Sequence, residues 1–145
     1  MKSYILLISC LLVILVSGCQ EKKPEGLTLK TTDVKSIQVW EGMNTGVVSR
    51  ALDESRPDDE VIIKKVIQWF DDADYQGKAG IQDTAVNSMP GNSMVIMLTN
   101  GKEITITTGT QTLLVATDAS EDRLKIYDES LMIWLASEWK EDIGG

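Results

Sequence analysis

The sequence predicts an α+β fold: a mainly antiparallel sheet with one helix after the first two strands and a C-terminal helix. Three observations predict it. Apolar residues recur at helical spacing between Pro57 and Ala73. The stretch from Met94 to Tyr127 carries strand signals broken by turn residues, Asn100-Gly101 foremost. A second helical stripe closes the chain, through Leu131, Met132, Leu135 and Trp139. Runs of strands flanked by helices give an antiparallel sheet covered on one face.

Taken in order, Val34 to Trp40 alternates loosely and is rich in β-formers, and Val47 to Leu52 is a second strand. Gly42 to Gly46 is turn-like, so the two form an antiparallel hairpin. Asp53 to Pro57 begins the helix. Pro57 suits the first helical position, where its missing N–H costs nothing. Asp58, Asp59 and Glu60 follow, where negative charge meets the positive end of the helix dipole. Ile62, Ile63, Val66, Phe70 and Ala73 share one face, with Trp69 at its edge, and the helix ends near Asp74.

Ala79 to Ala85 reads as a short strand and Met94 to Thr99 as a strong one. Asn100-Gly101 signals a two-residue type I′ hairpin turn, in which both central residues need positive φ. Lys102 to Thr107 answers it, with Ile104 and Ile106 facing one way and Glu103, Thr105 and Thr107 the other. Leu113–Thr117 and Arg123–Tyr127 make a further hairpin around Asp118–Asp122. Asp128 caps the last helix, with Trp134 beside its apolar stripe.

The N-terminus carries a different message. Met1-Lys2 precedes an apolar run, Tyr4 to Val16, that ends in Val16-Ser17-Gly18-Cys19. A charged start, a short apolar segment and a small-residue cleavage site make a secretory signal. The alternative, an uncut membrane anchor, would be shorter than the roughly 20 residues a bilayer requires. It would also leave the Ser-Gly-Cys ending unexplained. Cysteine directly after the small pair makes a lipobox, and in this the chain resembles a bacterial lipoprotein precursor. The resemblance implies cleavage before Cys19 and a diacylglyceryl group on its thiol, whose two acyl chains hold firmly. The domains expected are a signal over 1–18, a lipidated cysteine with a flexible polar tether over 19–32, and one globular domain over 33–142. Cys10 leaves with the signal, so no disulfide is available to the mature chain.

Composition narrows the function. Of 145 residues 22 are acidic and 14 basic, a net charge of −8. No acidic residue precedes Cys19, and Lys2 is the lone basic residue there, so the mature part is more acidic still. Nucleic-acid binding needs clustered Lys and Arg and is not expected. The acidity serves solubility, or attracts cations or a basic peptide. With no histidine, the commonest general base and metal ligand is missing. There is no Gly-x-Ser-x-Gly elbow and no phosphate-cradling glycine loop before a helix, so no enzyme and no cofactor are expected.

Four groups of residues carry weaker site signals. Asp72, Asp74, Gln76, Gly77 and Asp83 partly match positions 1, 3, 5, 6 and 12 of a calcium loop. Position 12 is the shorter Asp, and no helix is expected to follow, so a charged helix end with a glycine turn is the favoured reading. Asp58, Asp59 and Glu60 are read as dipole compensation rather than a cation site. Trp40, Trp69, Trp134 and Trp139 are read mainly as core. Trp69 and Trp134, at the margins of their stripes, are expected to be partly exposed partner contacts. Met43, Met89, Met94, Met97 and Met132 are scattered and read as packing.

The helix Val61–Ala73, Gly80-Ile81-Gln82-Asp83, the extended Met94–Leu98, the Asn-Gly turn and the closing Ser130–Trp139 together resemble small Bacillus-type lipoproteins of the YhfM-like kind. The resemblance covers about residues 34 to 140. It implies the anchor and the α+β fold and transfers no catalytic residue. The function expected is a lipid-anchored extracytoplasmic binding module, held in the membrane through Cys19, with an envelope protein or peptide as partner. The alternative is a structural or immunity-like envelope lipoprotein that sequesters a basic peptide.

Overall fold

Alternating apolar residues build one seven-stranded antiparallel sheet. The computed structural model describes residues 23–42, 48–84, 91–118 and 120–140. In chain order these hold β1 (Val34–Trp40), β2 (Arg50–Asp53), helix α1 (Pro57–Asp72), β3 (Asp74–Lys78) and the short helix α2 (Ile81–Thr84). After these come β4 (Ser93–Leu98), β5 (Glu103–Thr108), β6 (Leu113–Thr117), β7 (Ser120–Tyr127) and helix α3 (Glu129–Ala136). The strands lie in the order β2-β1-β4-β5-β6-β7-β3, every neighbour antiparallel. The expected α+β class and antiparallel sheet are present.

Cross-strand register gathers the core. Val39, Met94, Ile106, Val115 and Leu124 stand opposite one another on five neighbouring strands, and all are buried. Leu52, Ile37, Ile96 and Ile104 make a second such row. Helix α1 lays Ile62, Ile63, Val66, Ile67 and Phe70 on this face, and α3 adds Leu131, Trp134 and Leu135 to the same cluster. The other face carries Gln38, Val95, Thr105 and Ala116 in one half-buried row. A one-residue slip of β5 would swap its faces, removing Ile104 and Ile106 from the core at about 1.5–3 kcal/mol each.

Helix α1 leaves β2 at one edge of the sheet and feeds β3 at the other. Its 16 residues span about 24 Å, close to the roughly 29 Å width of seven strands. The free edge of β2 is covered by the start of α1. The Arg56 guanidinium donates to Ala51 O at 2.6 Å, and Asp53 N–H donates to Asp59 Oδ2 at 3.0 Å. Arg56 and Asp59 pair with each other at 2.5 Å. Asp59 therefore satisfies a strand edge as well as a helix start, which blunts pairing with other chains.

Several expectations are corrected. The segment taken as tether contributes Leu27, 1% exposed, and Leu29, 8% exposed, to the core, so packing begins before Asp33. Ala79 to Ala85 holds no described strand. The strand of this region is Asp74–Lys78, kinked by a bulge at Gln76-Gly77, and Ile81–Thr84 is helical. A five-residue, half-polar strand gives too little alternation to be seen in sequence. The Asn100-Gly101 turn is not type I′, because Gly101 alone has positive φ, at 83°. Leu98 O accepts from Gly101 N–H at 3.0 Å, and Leu98 N–H donates to Lys102 O at 2.8 Å. This closes a three-residue loop with glycine in the left-handed position. Cys10, Cys19, Met43 and Met89 lie outside the described residues.

Asn92 ties the two layers together. Its Nδ2 donates to Leu135 O at 2.8 Å and Ala136 O at 3.0 Å, satisfying the last carbonyls of α3. Its Oδ1 accepts from Gly42 N–H at 3.3 Å. Asn92→Ala is expected to lower the unfolding free energy by about 2 kcal/mol, three hydrogen bonds at roughly 0.5–1.5 each. Asn92→Asp, nearly the same shape, is expected to lose as much, since a carboxylate would face the negative end of α3. Urea unfolding measures both, and an Asn92→Asp variant as stable as the parent would contradict this assignment.

Candidate functional site

The described surface has an open cleft of about 640 Å³ at the end of the sheet where β7 stops and β3 begins. Gln76, Thr110, Gln111, Thr112, Tyr127 and Met132 line it. None of the six is ionisable near neutral pH, in a chain with 25% charged residues.

Each lining residue is placed by a rigid neighbour. Tyr127 is the last residue of β7, paired opposite Asp74, and is 42% exposed. Asp128 follows at once and caps α3, its Oδ1 accepting from Leu131 N–H at 2.7 Å, as expected. Met132 is thereby fixed one turn into the helix, half-buried against the core. Thr110 to Thr112 form the β5–β6 loop, closed by Gly109 N–H donating to Thr112 O at 2.8 Å. A Cβ on residue 109 would sit 2.8 Å from that same oxygen, so glycine is required for so close a turn. Gln76 projects from the bulge in β3. Amides and hydroxyls surround a phenol ring and a thioether, an arrangement that suits an uncharged polar ligand with an apolar side.

The residues singled out by sequence do not converge here. Trp134 is buried completely, which corrects its expected exposure. Leu131, Trp134 and Leu135, at i, i+3 and i+4, form the true inner stripe of α3, and Met132 turns toward the cleft instead. Trp69 is partly buried against the core with the Lys65 ammonium 6.0 Å from its ring centre. Trp139 is buried and Trp40 lies on the opposite face of the sheet, so no four-tryptophan pocket exists. The indole N–H groups of Trp134 and Trp139 have no hydrogen-bond partner among the described residues. Each such orphan costs about 1–3 kcal/mol, which the burial of large rings offsets.

The partial calcium loop is spread over three elements. Asp72 ends α1, Asp74, Gln76 and Gly77 lie in β3, and Asp83 belongs to α2. Asp83 is already engaged. It accepts from Gly80 N–H at 2.8 Å and pairs with Lys125 at 3.2 Å. The Gly80 hydrogen bond first, then Lys125, hold its carboxyl below the usual range. Among the described residues no three His, Cys, Asp or Glu side chains are grouped as a metal site. Asp58 and Glu60 remain in the first turn of α1, Glu60 pairing with Lys64 at 2.6 Å.

The C-terminal segment also holds a Ser-x-x-Lys spacing, Ser137-Glu138-Trp139-Lys140, which is a nucleophile pattern. In the structure each of its members is engaged with a different partner. Ser137 Oγ lies 3.5 Å from Ile133 O, and Lys140 Nζ pairs with Glu41 and sits 5.3 Å from the Trp139 ring centre. The spacing secures the C-terminal turn to the β1 end of the sheet. Cleft residues such as Thr110 and Gln111 carried no sequence signal, because loop hydroxyls and amides have no periodicity.

No protein-family description, curated protein or solved structure matches this chain.

Calcium is expected not to bind the Asp72–Asp83 segment, whose strand and ion pair prevent the ligands from closing round one point. Calorimetric titration decides it. Saturable binding tighter than about 1 mM, the weak limit for extracellular modules, that disappears in Asp72→Ala and Asp74→Ala would contradict this.

Proposed function

We propose that the chain is a lipid-anchored extracytoplasmic binding module without catalytic activity. One observation carries this reading: the apolar run Tyr4–Val16 closed by Val16-Ser17-Gly18-Cys19, the pattern of a signal whose cysteine receives diacylglycerol. The resemblance to small Bacillus-type lipoproteins agrees with it. Among the described residues no helix is long and apolar enough to cross a membrane, so a link at Cys19 would be their attachment to it. The uncharged cleft at Gln76, Gln111 and Tyr127 supports a binding role. Metabolic labelling with a clickable fatty acid tests the anchor. The wild type is expected to take up label and Cys19→Ala to lose it. An unlabelled wild type, or equal label on both, removes the proposal.

The second reading, capture of a basic peptide, is favoured by the net charge of −8. Salt separates the two, because exposed charges are screened beyond about 10 Å at 0.1 M. A binding module using its uncharged cleft is expected to retain its envelope partner at 0.5 M salt (on the order of a 4 Å screening length). Loss of the partner on raising salt favours peptide capture by charge.

A further inference from the structure

Lys23, four residues beyond Cys19, is fixed on the folded domain. Its Nζ donates to Phe70 O at 2.8 Å and Asp71 O at 2.9 Å and lies 5.1 Å from the Phe70 ring centre. The lysine thus caps the C-terminal end of α1, where carbonyls are unpaired and a cation is favoured. The chain then turns through Leu27 N–H donating to Pro24 O at 3.0 Å, buries Leu27 and Leu29, and gives Leu29 N–H to Asp71 Oδ1 at 3.3 Å. From Cys19 to Lys23 the chain spans at most about 14 Å.

That length is shorter than the sheet is tall. The six residues of β4 alone cover about 20 Å between the two ends of the sheet. The end of α1 that Lys23 holds leads directly to Asp74, opposite Tyr127, at the cleft end. If the far end, with the β4–β5 hairpin, touched a bilayer, Lys23 would stand too far off for Cys19 to reach it. We propose that Lys23 shortens the tether so that the cleft end of the sheet, with Tyr127 and the β5–β6 loop, lies against the bilayer surface. This rests on lipid attachment at Cys19. The cleft lining itself is uncharged, while Asp72 and Asp74, exposed at the same end, favour neutral over anionic headgroups there. An exposed tyrosine is at home in the headgroup layer.

The test uses the full chain, expressed with its own N-terminus and reconstituted into phosphatidylcholine–phosphatidylglycerol vesicles containing a nickel-chelating lipid. A spin label is placed at Gln111→Cys, in the cleft loop, or at Lys102→Cys, at the far hairpin. Nickel is expected to relax the label at 111 and to leave that at 102 unaffected. Lys23→Ala frees the chain back to Leu27, lengthening the reach to about 29 Å, and is expected to abolish the difference. So is a flexible insertion of eight residues after Glu21, which leaves the Lys23 contacts untouched. Equal relaxation at both sites in the parent chain, or a difference that survives the insertion, overturns the orientation. Recovery of the chain in the soluble fraction, before any label is read, overturns the anchor itself and is a separate failure.

Discussion

The structure depends on one crossing. Helix α1 must carry the chain from β2 to β3, the two edges of the sheet, in a single span. Its length, its buried face and its two ends follow from that task. Ile63, Val66 and Phe70 lie over the sheet. At one end Arg56 and Asp59 close the edge of β2, and at the other Lys23 donates to the carbonyls of Phe70 and Asp71. A shorter helix would leave β3 out of reach of β7, and a longer one would push it past the edge.

The elements with a strong period were legible, and the rest were not. Ile104 and Ile106 alternate against Glu103, Thr105 and Thr107, and β5 is found as expected. The apolar spacing of α1 survived an exposed Val61, because the remaining stripe is long. By contrast, β3 has five residues, one glycine and a bulge, and its place in the sheet comes from β7 rather than from its own pattern. Leu27 and Leu29 were hidden by polar neighbours, since two leucines set no period. Trp134 shows a subtler limit. A stripe through Leu131, Met132 and Leu135 and one through Leu131, Trp134 and Leu135 fit the same eight residues. The choice is made by the sheet beneath.

The cleft was the least legible feature. Its residues come from a bulge, a loop, a strand end and a helix, four places with no relation in sequence. Their shared property is a lack of charge, which stands out once the fold has set them side by side. The same holds for the capping contacts of Asn92 and Lys23, each of which ends a helix from more than forty residues away. Such contacts depend on tertiary position and are written in no local motif.

The strand order also fixes when the domain can come into being during synthesis. β1 and the two edges, β2 and β3, are made first, and the four strands that fill the space between β1 and β3 are made last. Until β7 has emerged, β3 has no partner, and α1 covers a sheet that does not yet exist. The final turn then brings Trp139, whose carbonyl oxygen accepts from Arg50 at the start of β2. A chain released early would present β1, β2 and a bare amphipathic helix to solvent. Every truncation that removes β7 should therefore meet the cell's proteases as an open chain.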